Sequence, residues 1–190
     1  MIGIAAALLL GGLIAFALAN RPFSDAVREI TLPLKHEDII RQQARDKDLD
    51  AALIAAMIYE ESRFRDQTSH AGAKGLMQIV PSTAHFIARK SGGTDFVPED
   101  LATPQVNIAY GTYYLRYLLE RYDGNEVVAL AAYNGGEGNV DKWIAKAGRG
   151  DRSLRVEDIP FPETRAYVSR VEDAERDYRD TYAKELGMGF

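Results

Sequence analysis

Residues 60–83 read EESRFRDQTSHAGAKGLMQIVPST, a segment in which an apolar run ends at two glutamates and a loop rich in Ser, Gly and Gln follows. Asp50 is placed to cap a helix that begins at Ala51. At about 100° per residue, one stripe of this helix is apolar and contains Leu53, Ile54, Met57 and Ile58. The pattern predicts an apolar helix whose end carries a carboxylate to the edge of a cleft.

The two adjacent glutamates differ in their predicted orientation. Glu61 follows Met57 by four residues and Ile58 by three, so it continues the apolar stripe, whereas Glu60 falls roughly 90° to one side. We therefore expect Glu60 to be more solvated and Glu61 to face the interior or a cleft. Lost hydration would raise the pKa of Glu61 and keep it protonated near neutral pH, as a general acid requires. A structural glutamate that accepts capping or loop hydrogen bonds fits the same position.

Two further segments contain polar groups that suit a carbohydrate ligand. Gly72 and Gly75 allow a tight backbone path close to a ligand. Gln78 offers an amide that can donate to and accept from sugar hydroxyls and acetamido groups. A second apolar helix ends at Tyr133 and Asn134, with glycines behind them. Each feature alone is also typical of ordinary structure, because a partly buried Gln or Tyr usually serves the fold.

Taken together, five motifs in unbroken order over about residues 39–171 resemble the catalytic domain of bacterial lytic transglycosylases of the soluble, lysozyme-like type. The motifs are Glu61-Ser62 with Ser69 in the following loop, GAKGLMQIVP at residues 72–81, an Asn-x-x-x-Gly-x-x-Tyr-Leu helix at residues 107–115, AYNGG at residues 132–136 and IPFPETRAYV at residues 159–168. Their order makes the resemblance far more specific than any one motif.

The resemblance implies an all-α, mainly helical fold, namely a lysozyme-like two-lobed domain with a substrate groove. It also implies a peptidoglycan lytic transglycosylase, a carbon–oxygen lyase that acts on a polysaccharide. Such an enzyme cleaves the β-1,4 bond between N-acetylmuramic acid and N-acetylglucosamine and forms 1,6-anhydro-muramic acid. Glu61 is then the catalytic residue, first as acid and later as base. The residues implied to bind substrate are Ser69, Met77, Gln78, Tyr133 and Asn134, and those implied to support the site are Ser62 and Glu163.

Three of these residues have more specific implied roles. Met77 is expected to line the cleft. Tyr133 is expected to form a hydrogen bond near Glu61 or the substrate. Glu163 is expected to support the site through a hydrogen bond, to the backbone or to Tyr133, although a negative charge in the first turn of a helix is also favoured by the helix dipole alone.

Two other functions fit the same motifs. A goose-type-lysozyme-like muramidase, a hydrolase, would share the fold and the acid but use water, and an inactive peptidoglycan-binding protein would keep the groove without turnover. Ordinary glycosidases need two carboxylates at a set separation. The motif match supplies only Glu61, which favours the transglycosylase, and the intact Glu61-Ser62 pair argues against an inactive protein.

Composition limits the partners. The chain has 190 residues, enough for one domain with a substantial core, and a net charge of −5. A negative charge predicts no nucleic-acid partner. The chain has no cysteines and its three histidines are isolated, so we expect no metal and no cofactor. We expect a monomer whose partner is the glycan strand of peptidoglycan.

The N-terminal residues 2–19 are continuously apolar and uncharged. Ala17-Leu18-Ala19 fits the rule for signal-peptide cleavage, and the segment also approaches the length of a membrane-spanning helix. It lacks a preceding Lys or Arg, so no orientation is indicated. We expect export to the periplasm or cell envelope, with residues 1–19 either a cleaved signal peptide or an inner-membrane anchor. A linker at residues 20–35 and a catalytic domain at residues 36–190 complete the predicted organisation.

Apolar periodicity predicts seven helices in the catalytic domain. They lie at residues 36–47, 51–62, 82–90, 105–122, 126–133, 139–147 and 163–186. The fourth and the last each carry a tyrosine-rich stripe at helical spacing, which is more typical of packing than of a sugar-binding surface.

Overall fold

The computed structural model describes residues 28–92, 96–147 and 154–189. They belong to two compact units, Met1–Leu34 and Lys35–Phe190. In the first unit, residues 28–31 form a helical turn within the predicted linker. The predicted signal peptide or anchor lies outside the described residues. Within the three described ranges, no helix is both long and apolar enough to cross a membrane.

The second unit is built from α-helices, which confirms the all-α prediction. In chain order the helices are α1 Glu37–Lys47, α2 Ala51–Ser62, α3 Pro81–Ser91, α4 Pro104–Arg121, α5 Glu126–Gly135, α6 Glu137–Ala147 and α7 Pro162–Tyr182, with short 3₁₀ helices at Pro98–Ala102 and Val156–Asp158. The loop between α2 and α3 is tied by isolated bridges that join Lys74 to Thr68 and to Ile79.

The predicted helices match the structure except at some boundaries. α6 begins at Glu137 rather than at residue 139, because Gly136 takes a positive φ of 84° and turns the chain directly from α5 into α6. α7 ends at Tyr182 rather than at residue 186, and the residues after it form turns that include a hydrogen bond from Leu186 N to Tyr182 O at 2.9 Å.

The central helix is α2. Every residue from Ala51 to Ile58 is buried, not only the predicted stripe. The reason is that α7 packs along α2 while α1 packs against it as well. A helix that is enclosed by its neighbours has apolar residues on all of its faces. The end of α2 therefore emerges from the core, and the residues there are positioned by a rigid element.

The tyrosine-rich stripe of α7 lies against this core, as its spacing predicts. Its members Tyr167, Val171, Ala174, Tyr178 and Tyr182 are all buried. Tyr178 packs edge-on against Tyr59 of α2, with ring centroids 5.9 Å apart. Because Arg170 of α7 pairs with Glu60 and Arg179 pairs with Asp50, the two helices run antiparallel, and the first turn of α7 lies toward the last turn of α2.

Candidate active site

A cavity of about 330 Å³ lies at the end of α2. Its walls come from α2, α3, α4, α5, α7 and the loop after α2. The structure brings six of the eight predicted site residues to this cavity, namely Glu61, Ser69, Gln78, Tyr133, Asn134 and Glu163. Tyr114 of α4, which sequence reasoning placed in a packing stripe and in the motif of residues 107–115 without a role in the site, lines it as well.

Glu61 lies in the last turn of α2 and is partly buried. Burial is the largest cause that raises its pKa, from 4.5 to about 7, and the adjacent Glu60 carboxylate acts in the same direction. The Tyr167 hydroxyl and the positive charge of Arg170 act against this rise. Glu61 thus combines access to a cavity with a proton that is held up to neutral pH, the two properties that a general acid requires.

The Tyr167 hydroxyl is buried and has no hydrogen-bond partner among the described residues. Its neighbour is Glu61: burial and the charge of that carboxylate raise the pKa of Tyr167 well above its ordinary value. A buried hydroxyl without a partner is rare in proteins. Here it provides a donor close to Glu61 that no other described group uses. Sequence reasoning placed Tyr167 in the packing stripe, and the available signal was its position in the IPFPETRAYV motif.

Glu60 is not the solvated residue that the helix geometry predicts. Only 5% of its side chain is exposed, and its Oε2 accepts from Arg170 Nε of α7 at 2.7 Å. The Arg63 guanidinium lies 3.9 Å from Oε1. The prediction was wrong because α7 covers the side of α2 that the periodicity marked as open.

Asn107 of α4, which is fully buried, fixes the loop that forms one wall of the cavity. Its Oδ1 accepts from Met77 N at 2.7 Å, and its Nδ2 donates to Lys74 O and Leu101 O, both at 2.9 Å. A Cβ at Gly75, which has a φ of 75°, would overlap the Asn107 amide. The sequence analysis identified Asn107 and Gly75 as motif residues but did not predict that they contact each other, because they lie in segments far apart in the chain.

Ser69 and Gln78 lie in this loop between α2 and α3. The Ser69 hydroxyl accepts from Ala73 N at 3.1 Å. Gln78 has a positive φ of 47°, and its Nε2 donates to Gly75 O at 2.8 Å and to Gln67 O at 3.1 Å. The amide nitrogen of Gln78 is therefore committed to the backbone, and the carbonyl oxygen is the group that it has left for a ligand.

Met77 does not line the cleft, so that prediction was wrong. Its side chain is fully buried and packs against Gly111 of α4, where an added Cβ would overlap the Met77 sulfur. The backbone at Gln78 has a positive φ, and the Gln78 side chain lies at the cavity. The preceding side chain, that of Met77, points into the core. Ser62 is buried too, and its hydroxyl donates to Ile58 O at 3.1 Å, so its support of the site is confined to the end of α2.

Tyr133 and Asn134 come from the last turn of α5. The Tyr133 hydroxyl donates to Met77 O at 2.9 Å, and its ring lies 5.5 Å from that of Tyr114. Burial and the nearby charge of Glu61 raise the pKa of Tyr133 well above its ordinary value. Tyr133 therefore faces Glu61 while its proton is used to hold the loop, and Asn134 is exposed at the cavity wall.

Glu163 lines the same cavity from the first turn of α7, where the positive end of the helix dipole favours a carboxylate. The expected hydrogen bond to the backbone or to Tyr133 is absent, since Glu163 is exposed and has no hydrogen-bond partner in the described part of the chain. Among the described residues, moreover, no group of three or more His, Asp or Glu could hold a metal ion.

The sequence profile of the Transglycosylase SLT domain family matches residues 38–156. The chain belongs to this family. It is 39% identical over 146 residues to the soluble lytic murein transglycosylase of Salmonella typhimurium, covering 75% of this chain and 23% of that protein. It is 33% identical over 167 residues to the membrane-bound lytic murein transglycosylase C of Salmonella arizonae, covering 76% of this chain and 46% of that protein.

The fold is shared with a solved structure, the 70 kDa soluble lytic transglycosylase of Escherichia coli. The TM-score is 0.74 and the sequence identity 33%, over 83% of this chain and 26% of that one. The predicted all-α, lysozyme-like fold is thus confirmed. The chain spans about a quarter of the length of the soluble relatives that it matches.

Proposed function

We propose that this domain is a peptidoglycan lytic transglycosylase. The observation that carries the proposal is Glu61, a carboxylate at a rigid helix end, open to a cavity and with a pKa raised to about 7. The cavity also presents an amide carbonyl, a serine and an asparagine, which suit the hydroxyl and acetamido groups of a glycan strand. Membership of the SLT family supports the same substrate class.

The reaction needs only one group that gives and takes a proton. Protonated Glu61 donates to the oxygen that links N-acetylmuramic acid to N-acetylglucosamine, and the bond from the muramic acid C1 to that oxygen breaks. The acetamido oxygen of the substrate stabilises the positive charge that develops at C1. Ionised Glu61 then removes the proton of the 6-hydroxyl, and O6 bonds to C1. Glu61 regains its proton, no water is consumed, and the product is a 1,6-anhydro ring.

The surrounding groups assist the two states of Glu61 differently. The Tyr167 hydroxyl is placed to donate to the carboxylate once Glu61 has lost its proton, and such hydrogen bonds are stronger when the acceptor is charged. The carbonyl oxygen of Gln78 accepts from a hydroxyl or an acetamido N–H. Ser69 and Asn134 orient other polar groups of the sugar, and Tyr133 fixes the loop that carries them.

A hydrolase remains the second candidate because Glu163 supplies another carboxylate on the same cavity. With a water between the two, Glu163 could act as base in a two-carboxylate mechanism. The absence of positioning contacts on Glu163, in the part of the chain that the structure describes, favours the transglycosylase.

Mass spectrometry of the material released from purified sacculi tests the proposal. A transglycosylase releases fragments with anhydro-muramic ends, and a hydrolase releases reducing ends that are one water heavier. Release by the wild-type chain and none by Glu61→Gln would support the assignment. Reducing ends would establish the hydrolase, and binding without release would establish an inactive protein.

We further propose that the protein acts as a monomer in the cell envelope, with residues 1–19 as leader or anchor, residues 20–35 as linker and residues 36–190 as the catalytic domain. Peptidoglycan lies outside the inner membrane, so the substrate requires export. A reporter that is active only in the cytoplasm, fused after Phe190, should be silent, and the N-terminal mass of the mature protein separates cleavage from retention.

A further inference from the structure

A charge pair lies directly beside Glu61 and has no part in the proposed reaction; its carboxylate, that of Glu60, is nearly buried, whereas its guanidinium, that of Arg170, is 51% exposed. Glu60 is 5% exposed in its side chain and is bound by the Arg170 guanidinium of α7, with 2.7 Å between Oε2 and Nε. Arg63 contributes a longer contact of 3.9 Å. Glu60 precedes Glu61 in the same turn of α2, so the carboxylate that needs a proton has a charged neighbour on the adjacent residue.

The partner of Glu60 also faces the cavity end of α2. Arg170 follows Tyr167 by three residues on α7, and residues at that spacing lie on the same side of a helix. Glu60 and Arg170 act on Glu61 in opposite directions, since the negative charge favours the protonated form and the positive charge favours the ionised form. The balance between them influences the pH at which Glu61 loses its proton.

The charged and titratable groups around this pair come from several elements. Those facing Glu61 are Glu60 of α2, Tyr167 and Arg170 of α7 and Tyr133 of α5, with Tyr114 of α4 and Glu163 of α7 across the cavity. Those facing Glu60 are Arg63, Arg170, Tyr167 and Tyr178. Arg170 is thus the cation that both glutamates share.

A purely structural tie between α2 and α7 does not require these charges. The Glu60 carboxylate loses most of its hydration here while Arg170 stays half exposed, and apolar side chains join two helices without that desolvation cost. The tyrosine-rich stripe of α7 already provides such packing. The charges themselves therefore point to an electrostatic effect on their neighbour.

We propose that Glu60 and Arg170 are positioning residues that set the pH range in which Glu61 holds its proton. The inference rests on the proposed function for its meaning in catalysis, but the proton occupancy of Glu61 is measurable without turnover. Glu60 extends the range in which the acid is protonated, and Arg170 limits it, so that Glu61 can also act as base in the second half of the reaction.

The direct test is ¹³C NMR titration of the Glu61 side-chain carboxyl in the full chain, assigned by the signal that Glu61→Gln removes. The Glu60→Gln variant should move the titration midpoint down, and Arg170→Gln should move it up, each by roughly 0.5–1 pH unit. The double variant should fall between the two single variants. Arg170→Lys retains the positive charge and should restore most of the wild-type midpoint.

Two controls separate this effect from general damage. Arg176→Gln removes one positive charge from another part of α7. Arg176 pairs with Asp173, and both side chains are well exposed, so this variant should leave the titration midpoint of Glu61 unchanged. Melting temperatures show whether each variant is folded. If Arg170→Gln is too unstable to titrate, Glu60→Gln still tests the direction, because glutamine keeps a side-chain oxygen that can accept from Arg170, and Arg170→Lys tests whether a positive charge at this position is sufficient.

Release of anhydro products across pH then connects the midpoint to turnover. The basic limb should move with the NMR midpoint, giving roughly a threefold to tenfold loss above neutral pH for Glu60→Gln and a gain for Arg170→Gln. Midpoints that match wild type in all variants would overturn the inference. Midpoints that move as expected in a chain that releases no anhydro product would leave the inference intact and overturn the proposed function.

Discussion

The two ends of α2 both carry partly buried carboxylates, and they are built differently. At the N-terminus, Asp50 Oδ1 accepts from Ala52 N at 2.7 Å, and Oδ2 lies 3.0 Å from Arg179. Close to this cap, the pKa of Glu126 is raised by burial and by the neighbouring carboxylate of Glu175. At the C-terminus, the pKa of Glu61 is raised mainly by burial, and the carboxylate opens onto a cavity.

This difference shows why a raised pKa does not by itself identify a catalytic group. Glu126 lies near two carboxylates, Asp50 and Glu175, that both pair with Arg179, and it does not line the cavity. Glu61 lies beside a hydroxyl, that of Tyr167, that has no partner in the described residues, and beside Gln78, whose carbonyl oxygen is free to accept. Groups that a fold leaves unsatisfied at a cavity are the ones to expect in function.

The largest expected effect is on turnover. Glu61→Gln should reduce the release of anhydro products by roughly 10²–10⁴-fold or more, because an amide keeps the shape of the side chain but cannot exchange a proton. Glu126→Gln makes the same change at the start of α5, close to the other end of α2, and should stay within about twofold of wild type. Assays on the same sacculi at pH 6 compare them. Loss of activity in Glu126→Gln with an active Glu61→Gln would reverse the assignment.

The cavity end of α2 also depends on the loop that faces it. Asn107→Ala leaves Met77 N, Lys74 O and Leu101 O without partners and should lower the free energy of unfolding by roughly 3–4 kcal/mol. Gln105→Ala on the same helix removes one exposed contact at 3.5 Å and should cost less than about 0.5 kcal/mol. Urea denaturation measures both, and equal midpoints would contradict the role given to Asn107.

Replacing the acid should make the protein more stable. The pKa of Glu61 is raised from 4.5 to about 7, so its ionised form is disfavoured in the folded chain. Wild-type stability is therefore complete below pH 4.5 and falls as the pH rises from there through about 7, by roughly 3 kcal/mol in total. Glu61→Gln does not titrate. Its advantage in unfolding free energy should be absent at pH 4, grow between pH 4.5 and 7 and be constant above that range. A variant no more stable than wild type at pH 8 would contradict the raised pKa.

Two tyrosines beside Glu61 should respond in different ways. Tyr133→Phe loses a hydrogen bond to Met77 O at 2.9 Å and should lower stability by roughly 0.5–1.5 kcal/mol. Tyr167→Phe removes a buried hydroxyl that forms no resting hydrogen bond to a described group, so stability should be unchanged or slightly higher while turnover falls. Melting temperature and turnover measured on the same preparations distinguish these results. A destabilised but fully active Tyr167→Phe would show that Tyr167 serves packing and has no role in turnover.

Much of this arrangement could be read from the sequence because it depends on local order. The apolar run before Glu61, the cap at Asp50 and the glycines of the following loop are all local signals, and they placed Glu61 correctly at the end of a buried helix. The ordered motifs then gathered Ser69, Gln78, Tyr133 and Asn134 around one cavity.

The errors concern contacts between distant segments. Glu60 was expected to be the more solvated of the two glutamates because Arg170, its partner on α7, is 110 residues away in the chain. Met77 was placed in the cleft because a motif gives residue order but not the direction of each side chain, which here depends on the positive φ of Gln78 and the packing on Gly111. The hydrogen bond expected of Glu163 failed for the same reason, since helix position alone does not supply a partner.

The pH dependence of anhydro-product release by the wild-type chain tests the central claim most directly, with Glu126→Gln as the matched control. If protonated Glu61 starts the reaction, turnover should fall with a single ionisation as the pH rises through about 7, and Glu126→Gln should show the same basic limb. Turnover that stays level or rises through pH 8, or a basic limb that moves when Glu126 is replaced, would contradict the account.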